Sequence, residues 1–209
     1  MGFLHYFSSN GDKRAQFIFN LIAPVYALFD RSIQINFKQL AKKLNTEVQL
    51  EGLSVLDVGT GTGAWIATLN HLKIKSATGI DFSEKMIKQA RKKHPEIHFE
   101  VAEASDLNSF KDGSFDVVTS SFVLHGIEKE GRTKVLAEMK RIAGKLVVVH
   151  DFYKKASPAI RILELLERSD YKNFVKDFNM EFSSFFNTTK LVTDQNENGI
   201  YIGFKQNRS

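Results

Sequence analysis

A short apolar run that leads into alternating glycines limits the possible folds of this chain more than any other feature. Leu53–Val58 forms the run, glycines follow at positions 59, 61 and 63, and a helical pattern begins at Ala64. An apolar run that ends in glycines predicts a buried strand, and glycine is needed where the backbone turns sharply or approaches a ligand closely. A strand, a glycine-rich loop and a helix in this order predict a ligand site at the carboxyl end of a parallel sheet.

Strands and helices alternate through the rest of the chain, as in proteins with a parallel sheet flanked by helices. The next predicted elements are helix 64–72, strand 76–80, helix 83–93, strand 97–101, strand 115–120, helix 130–142 with Gly144 as its C-cap, and strand 146–150. A helix from Pro158 to about residue 168 and an aromatic-rich stretch over 171–186 follow, and two β-rich runs then flank an Asn-Gly pair, which predicts a hairpin. The expected fold is α/β: a doubly wound, Rossmann-like, seven-stranded and mostly parallel sheet with a C-terminal antiparallel hairpin.

The residues ahead of the first strand form a separate helical pattern. Apolar residues recur at helical spacing between about residues 12 and 45, and Pro24 is expected to kink or split the first helix. We therefore predict an N-terminal helical cover over 1–45, followed by one α/β domain over 46–209.

The composition excludes several kinds of site. The 209 residues contain no cysteine, which rules out disulfides and zinc–thiolate sites and makes the reducing cytoplasm the natural location. No apolar run approaches the roughly 20 residues of a membrane-spanning helix, so no membrane span is expected. The histidines show no spacing typical of metal ligands, and no metal site is expected. The net charge is +5, and the basic residues between Lys85 and Lys93 favour a solvated helix face, so nucleic-acid binding is not the preferred interpretation.

Two acidic residues at predicted strand ends narrow the choice of ligand. The glycine pattern with Ala64 also fits the fingerprint of dinucleotide-binding proteins, and a tight turn without a ligand remains an alternative. Asp57, two residues before the first glycine, suits a ligand with a cationic amino group, whereas dinucleotide-binding loops usually have an apolar residue there. Asp81 follows the last glycine at about the 20-residue spacing expected for a carboxylate that accepts hydrogen bonds from ribose hydroxyls.

Four stretches of the chain resemble the class I S-adenosylmethionine-dependent methyltransferases. They are residues 55–63, 79–86, 103–107 and 112–127, and the resemblance extends over about residues 53–150. Within that class the chain is similar to the methyltransferase type 11 group, which includes the ubiquinone/menaquinone C-methyltransferases. The resemblance implies S-adenosyl-L-methionine as the cofactor and methyl transfer as the reaction, and it leaves the methyl acceptor open.

The resemblance also implies which residues hold the methionine part of the cofactor. These are residues of the glycine loop and of the fourth strand, namely Gly59, Thr60, Gly61, Gly63, Ser120 and Ser121. Asp57 would lie near the amino group of the cofactor.

The nucleoside part would be held by residues after the second and third strands. Asp81 would bind the ribose hydroxyls, and Phe82 and Met86 would flank the adenine, although core packing is an alternative for both. Glu103, where relatives usually carry an aspartate, would accept a hydrogen bond from the adenine amino group, although a surface carboxylate is the alternative for it. The backbone of Ala104 would meet the edge of the ring.

One histidine is the favoured catalytic candidate. His125 follows the fourth predicted strand on the cofactor side, where it would act as a general base or contact the acceptor. His150, Asp151 and Tyr153, near the end of the fifth strand, are further candidates.

Tyr26 is the second catalytic candidate. It lies in residues 19–26, which resemble the segment of the quinone methyltransferases whose tyrosine closes over the cofactor. This chain departs from that pattern beside the tyrosine, with Ala27 where an aspartate is usual, so a role in the helix core stays open for Tyr26.

The expected function is S-adenosylmethionine-dependent methyl transfer to a small-molecule acceptor, an apolar or aromatic metabolite. A short-chain dehydrogenase is disfavoured because neither Tyr153 nor Tyr171 is followed four residues later by lysine. An RNA methyltransferase is an alternative because of the positive charge, although Ser120–Val123 replaces the loop of enzymes that methylate base amino groups. A non-catalytic S-adenosylmethionine-binding protein is the third alternative, and the oligomeric state is left open.

Overall fold

The computed structural model describes residues 37–154, 169–194 and 198–205. Its strands are β1 Ser54–Val58, β2 Ser76–Asp81, β3 His98–Val101, β4 Phe115–Ser121, β5 Ala143–Asp151, β6 Thr188–Thr193 and β7 Gly199–Phe204. Its helices are α1 over 37–48, α2 Ala64–Asn70, α3 Glu84–Lys93, α4 Lys129–Ile142 and α5 Tyr171–Phe185, with a 3-10 turn at Leu124–Gly126. The alternation predicted from the sequence is confirmed.

The strands form one seven-stranded sheet in the order β3-β2-β1-β4-β5-β7-β6. β1 pairs in parallel with β2 and β4, and the β2–β3 and β4–β5 pairs are also parallel. β7 is antiparallel to both of its neighbours, β5 and β6. The strand order reverses between β1 and β4, and in such sheets the crevice at the carboxyl ends of these strands is the usual ligand site. The predicted doubly wound sheet with an antiparallel C-terminal hairpin is confirmed.

Helices cover both faces of the sheet. α1, α2 and α3 pack on one face, through a core that includes Leu44, Ile66 and Ile87. α4 and α5 pack on the other face, through a core that includes Leu136 and Phe178. The central strands are therefore buried on both sides, which explains why they appear in the sequence as continuous apolar runs.

The transition from α4 to β5 differs from the sequence prediction. Gly144 is predicted as a helix C-cap, but α4 ends at Ile142 and β5 begins at once, at Ala143, whose backbone is already extended (φ −70°, ψ 135°). A Cβ on Gly144 would lie 3.3 Å from the backbone oxygens of Gly113 and Phe115. The glycine is therefore explained by the close approach of a neighbouring backbone, and the prediction of a C-cap is wrong.

The turn between β6 and β7 also differs in detail. Gly199 of the predicted Asn-Gly turn is the first residue of β7. Asp194 and Asn198 close the turn instead: the Asp194 N–H donates to Asn198 O at 2.9 Å, and Asp194 Oδ1 accepts from the Asn198 N–H at 2.9 Å. A Cβ on Gly199 would lie 2.5 Å from the Tyr201 ring, so packing within β7 accounts for this glycine.

Several predictions concern residues outside the described ranges. Residues 1–36 hold most of the predicted cover, together with Tyr26, and residues 155–168 hold the predicted helix after Pro158. The division into a cover over 1–45 and a domain over 46–209 therefore stays a prediction. None of the described helices combines the length and the apolar character needed to cross a membrane.

Candidate functional site

The predicted cofactor residues lie along one edge of the sheet, where the parallel strands end. Asp57 lies near the end of β1, Asp81 ends β2, and Ser120 lies near the end of β4. Because β1 lies between β2 and β4, these three positions are on neighbouring strands. Glu103 and Ala104 follow β3, the next strand along this edge.

The loop between β1 and α2 has a left-handed backbone at each of its glycines. The φ angle is +72° at Gly59, +55° at Gly61 and +85° at Gly63. A Cβ on Gly59 would lie 2.6 Å from the Val123 side chain, and one on Gly63 would lie 2.7 Å from the Phe99 ring, whereas one on Gly61 would enter open space. Packing therefore requires glycine at the outer two positions, and backbone conformation alone favours it at Gly61.

The Asp81 carboxylate holds this loop in place. One oxygen accepts a hydrogen bond from the Gly61 N–H and the other from the Ser83 N–H, both at 2.9 Å. Burial raises the pKa of Asp81, and these two hydrogen bonds offset part of the increase. A carboxylate has about four acceptor positions, so Asp81 can hold the loop and still accept hydrogen bonds from a ligand.

Four polar side-chain atoms at this edge are buried without a hydrogen-bond partner among the described residues. They are Asp57 Oδ1, Thr60 Oγ1, Glu103 Oε2 and Ser120 Oγ. Buried polar atoms are nearly always hydrogen bonded, because an unpaired one costs about 1–3 kcal/mol. All four belong to residues that the sequence assigns to cofactor binding. We therefore expect a polar ligand to bind at this edge and to form hydrogen bonds with these atoms.

Two carboxyl groups of this site, those of Asp57 and Glu103, have raised pKa values. Burial, together with the negative charge of Asp81, raises the pKa of Asp57 to about 8. The nearby Thr60 hydroxyl offsets part of the increase, although its geometry falls short of a hydrogen bond. Burial and Asp81 also raise the pKa of Glu103. An ammonium group beside Asp57 would favour its ionised form, so the fit to a ligand with an amino group is good.

His125, the predicted base, is fixed by a fully buried carboxylate. Its Nδ1 lies 2.8 Å from Asp151 Oδ1, and its side chain is 12% exposed. Asp151 also accepts hydrogen bonds from the backbone N–H groups of Leu124, His125 and Phe152, at 3.0, 3.2 and 2.8 Å. This pairing orients an imidazole for proton transfer.

A second histidine–aspartate pair involves the neighbouring residue of β5. His150 Nδ1 lies 3.0 Å from Ser121 Oγ, and His150 Nε2 lies 3.1 Å from Asp194 Oδ2. Burial alone would raise the pKa of Asp194, but hydrogen bonds from His150 and Asn198 outweigh it and lower the pKa to about 2. Asp194 is therefore ionised at neutral pH.

Aromatic rings surround both histidines. The Phe122 ring centroid lies 4.6 Å from that of His150 and 5.2 Å from that of Phe152, and the His125 ring lies 4.9 Å from Phe152 and 6.2 Å from Phe174. Phe122 has a φ of +53° and is 37% exposed. A non-glycine residue in this conformation is strained, and such strain is found preferentially at functional sites. The Phe122 ring thus forms an exposed apolar surface beside the histidines.

Comparisons with known proteins identify the family. The chain matches the family model described as a methyltransferase domain over residues 55–145. It is 30% identical over 151 residues to the phosphatidylethanolamine N-methyltransferase of Cereibacter sphaeroides, and the matched stretch covers 68% of this chain and 72% of that protein. It is 32% identical over 171 residues to a ubiquinone/menaquinone biosynthesis C-methyltransferase of a Geobacter species, which covers 76% of this chain and 71% of that protein. The chain belongs to the class I S-adenosylmethionine-dependent methyltransferases. This methyltransferase therefore uses S-adenosyl-L-methionine, as predicted.

Solved structures confirm the fold of the methyltransferase. The magnesium protoporphyrin IX methyltransferase of Synechocystis, solved with S-adenosylhomocysteine, has a TM-score of 0.64 at 19% identity and covers 96% of this chain and 97% of that one. A possible histamine N-methyltransferase of Thermotoga maritima has a TM-score of 0.65 at 22% identity and covers 91% and 99% of the two chains. At these identities the likeness concerns the fold alone.

One residue of the methyltransferase site is absent from the sequence predictions. Asp194 completes, with Ser121, the hydrogen bonds of His150, but it appears in the sequence only as a turn residue. Phe82 and Met86 lie directly after β2 and in the first turn of α3, both half-buried, and their contact with an adenine stays a prediction.

Proposed function

We propose that this methyltransferase transfers a methyl group to a small, apolar or aromatic metabolite at the carboxyl ends of β4 and β5. The observation that supports this most directly is the exposed ring of Phe122 beside Phe152 and two fixed histidines. Small-molecule sites are mostly apolar or aromatic, with a few positioned polar groups, and this edge of the sheet has that composition.

The unpaired polar atoms are proposed to bind the methionine part of the cofactor. In this proposal the Asp57 carboxylate accepts a hydrogen bond from the amino group, and hydroxyl groups come from Thr60 within the glycine loop and from Ser120 on β4. When bound, S-adenosylmethionine supplies an electrophilic methyl group, and the protein contributes its position and the exclusion of water.

The nucleoside part is proposed to lie between β2 and β3. Asp81 accepts hydrogen bonds from the ribose hydroxyls through the lone pairs that its two backbone hydrogen bonds do not use. Glu103, whose Oε2 is unpaired among the described residues, accepts from the adenine amino group, with Phe82, Met86 and Ala104 around the ring.

His125 is proposed to contact the methyl acceptor. Asp151 fixes the ring through Nδ1, and an imidazole held in this way can act as a general base or contact an acceptor. Tyr26, outside the described residues, stays a candidate for a group that closes over the cofactor.

Calorimetry tests the cofactor proposal. S-adenosylhomocysteine is expected to bind and NAD⁺ is not. Asp81→Ala is expected to weaken S-adenosylhomocysteine binding by about 1–3 kcal/mol, because ribose donors lose a charged acceptor. Glu51→Ala, which removes an exposed carboxylate from a turn, is the matched control. Binding of NAD⁺ without any response to S-adenosylhomocysteine would contradict the assignment of these residues.

A screen with methyl-labelled cofactor tests the acceptor class. The pools are aromatic small molecules including quinols, phospholipid amines, RNA and protein, because the two relatives are named for different acceptors. Label is expected in the aromatic pool, and His125→Ala is expected to lower turnover more than cofactor affinity. Label confined to the phospholipid pool would show that the aromatic surface has another role.

The positive charge supports an RNA methyltransferase as the second candidate. Lys85, Lys88 and Lys92 are exposed on α3, whereas Arg91 donates two hydrogen bonds to the Phe99 carbonyl and so belongs to the fold. RNA binding through phosphates falls steeply as salt rises. A triple variant in which all three lysines are changed to glutamate is expected to keep the turnover of the unsubstituted protein. A triple variant that binds cofactor but loses turnover would favour RNA as the substrate.

A further inference from the structure

Three side chains from distant parts of the chain form a hydrogen-bonded relay at the carboxyl edge of the sheet. Ser121 ends β4, His150 lies near the end of β5, and Asp194 directly follows β6. The Ser121–His150 and His150–Asp194 distances are 3.0 and 3.1 Å, and His150 is only 3% exposed. Asp194 is itself held by the backbone N–H and the side-chain amide of Asn198, each at 2.9 Å.

The partners of His150 determine where its proton lies. The ionised Asp194 can only accept, so His150 Nε2 carries a proton. In the neutral ring Nδ1 then has a lone pair, and it accepts the hydroxyl proton of Ser121. With its proton directed to His150, the Ser121 oxygen presents lone pairs to the surrounding space. Ser121 is thus prepared to accept a hydrogen bond from a ligand.

The position of Ser121 places this acceptor oxygen beside the proposed methyl-acceptor site. Thr119 pairs with Asp57 of β1, and Ser121 lies two residues further along β4, at its carboxyl end. Phe122, the next residue, packs its exposed ring 4.6 Å from the His150 ring. A ring that lies against Phe122 therefore has the Ser121 oxygen within reach of its substituents.

We propose that Ser121 binds a hydroxyl group of the methyl acceptor and that His150 and Asp194 are positioning residues for it, so that the acceptor is a hydroxylated aromatic compound. This inference rests on the proposed function, because it assigns the acceptor to the surface beside Phe122. Proton transfer along the relay balances: the acceptor O–H proton moves to Ser121 Oγ, while the Ser121 proton moves to His150 Nδ1. The oxygen of the acceptor keeps the electron pair of the broken O–H bond, which makes it the nucleophile.

The tautomer of His150 provides a test that needs neither cofactor nor acceptor. Long-range ¹⁵N–¹H spectra, with the signals assigned by comparison with His150→Gln, are expected to show a proton on Nε2 and none on Nδ1. Asp194→Asn is expected to shift the population toward the Nδ1–H form, because an amide no longer requires a donor at Nε2. A resting Nδ1–H tautomer in the unsubstituted protein would overturn the relay.

Binding of a matched pair of probes tests the contact with a hydroxyl group. The protein with S-adenosylhomocysteine is expected to bind 1-naphthol more tightly than 1-methoxynaphthalene, which cannot donate a hydrogen bond. Ser121→Ala is expected to weaken binding of 1-naphthol by roughly 2- to 12-fold, the equivalent of one neutral hydrogen bond, and to leave the ether unaffected. Ser121→Thr keeps the hydroxyl and is expected to restore the preference.

The outcomes separate the relay from the proposed function. Equal binding of both probes, unchanged in Ser121→Ala, would overturn the relay while supporting the aromatic site. Binding of neither probe would overturn the aromatic acceptor site itself. A loss of binding for both probes in Ser121→Ala would assign the serine to structure, and would also overturn the proposal.

Discussion

Replacing Asp57 with asparagine is expected to stabilise the cofactor-free methyltransferase at neutral and alkaline pH. Burial raises the pKa of this carboxyl group from 3.8 to about 8. Between these pH values the folded protein retains a proton that the unfolded chain has released. The free energy of unfolding therefore falls as the pH rises through this window, and an asparagine, which does not titrate, escapes that loss.

The size of the effect follows from the two pKa values. Each tenfold change in the proton equilibrium is worth about 1.4 kcal/mol, so the burial of Asp57 lowers the stability at pH 7 by at most about 4 kcal/mol. Water that enters the site or a small relaxation of the loop would reduce this figure, because both raise the effective dielectric constant. At pH 5 the side chain is protonated in the folded protein, and the advantage of asparagine there shrinks to about 1–2 kcal/mol.

Urea unfolding at pH 5 and pH 8 measures this difference. The comparison includes the unsubstituted protein, Asp57→Asn and the exposed-site control Glu51→Gln. The contributions of the other titrating groups then cancel in the differences in the free energy of unfolding. The gain in stability for Asp57→Asn is expected to grow between the two pH values, with a loss of affinity for S-adenosylhomocysteine. A stability difference that is the same at both pH values would refute the reasoning, because it would show that Asp57 is ionised in the folded state without cost.

Three further predictions concern the loop, the core and the turn. Gly59→Ala is expected to cost about 2–4 kcal/mol in stability, from its positive φ and its clash with Val123, and Val123→Ala in the same chain should recover part of this in thermal unfolding. No recovery would place the cost in the backbone alone. Arg132→Met is expected to cost about 3–5 kcal/mol, because it leaves the Asp170 and Glu181 carboxylates without their buried partner. A loss below 1 kcal/mol would mean that water replaces the guanidinium. The lowered pKa of Asp194 contributes to the free energy of unfolding above about pH 4, and this contribution is lost as the pH falls toward 2. The loss of stability caused by Asp194→Asn is therefore expected to become smaller in acid, as urea unfolding at several pH values would measure. A destabilisation independent of pH would contradict the hydrogen bonds that lower this pKa.

The parts of the fold that depend on local sequence could be predicted. The strand, glycine loop and helix that start at Leu53 follow from neighbouring residues alone, and the structure has all three. The start of α3 is also a local feature, because Ser83 Oγ accepts a hydrogen bond from the Met86 N–H at 3.4 Å. The start of β5 was placed too late because Gly144 has the local signature of a helix end. Its actual constraint is the backbone of Gly113, far away in the sequence.

The polar network of the site could be predicted only in part. His125 follows one apolar strand and His150 lies near the end of another, which places both at the carboxyl edge, and this much is visible in the sequence. The partner of each histidine is not, because Asp151 lies 26 residues from His125 and Asp194 lies 44 residues from His150. Which carboxylate meets which ring depends on the strand order of the sheet, in which the turn after β6 comes close to the end of β5.

The position of β7 has a consequence for how the chain reaches its native state. β7 follows β6 in the chain but lies between β6 and β5 in the sheet. Until residues 199–204 are in place, the almost fully buried β5 keeps an unpaired edge, and β6 has no strand to join. Open apolar edges pair readily with other chains, and pairings between distant residues such as Leu146 and Phe204 close slowly. A nascent or shortened chain without β7 is therefore expected to be more prone to aggregation than the folded protein, because pairing of β7 with β5 and β6 removes these open edges.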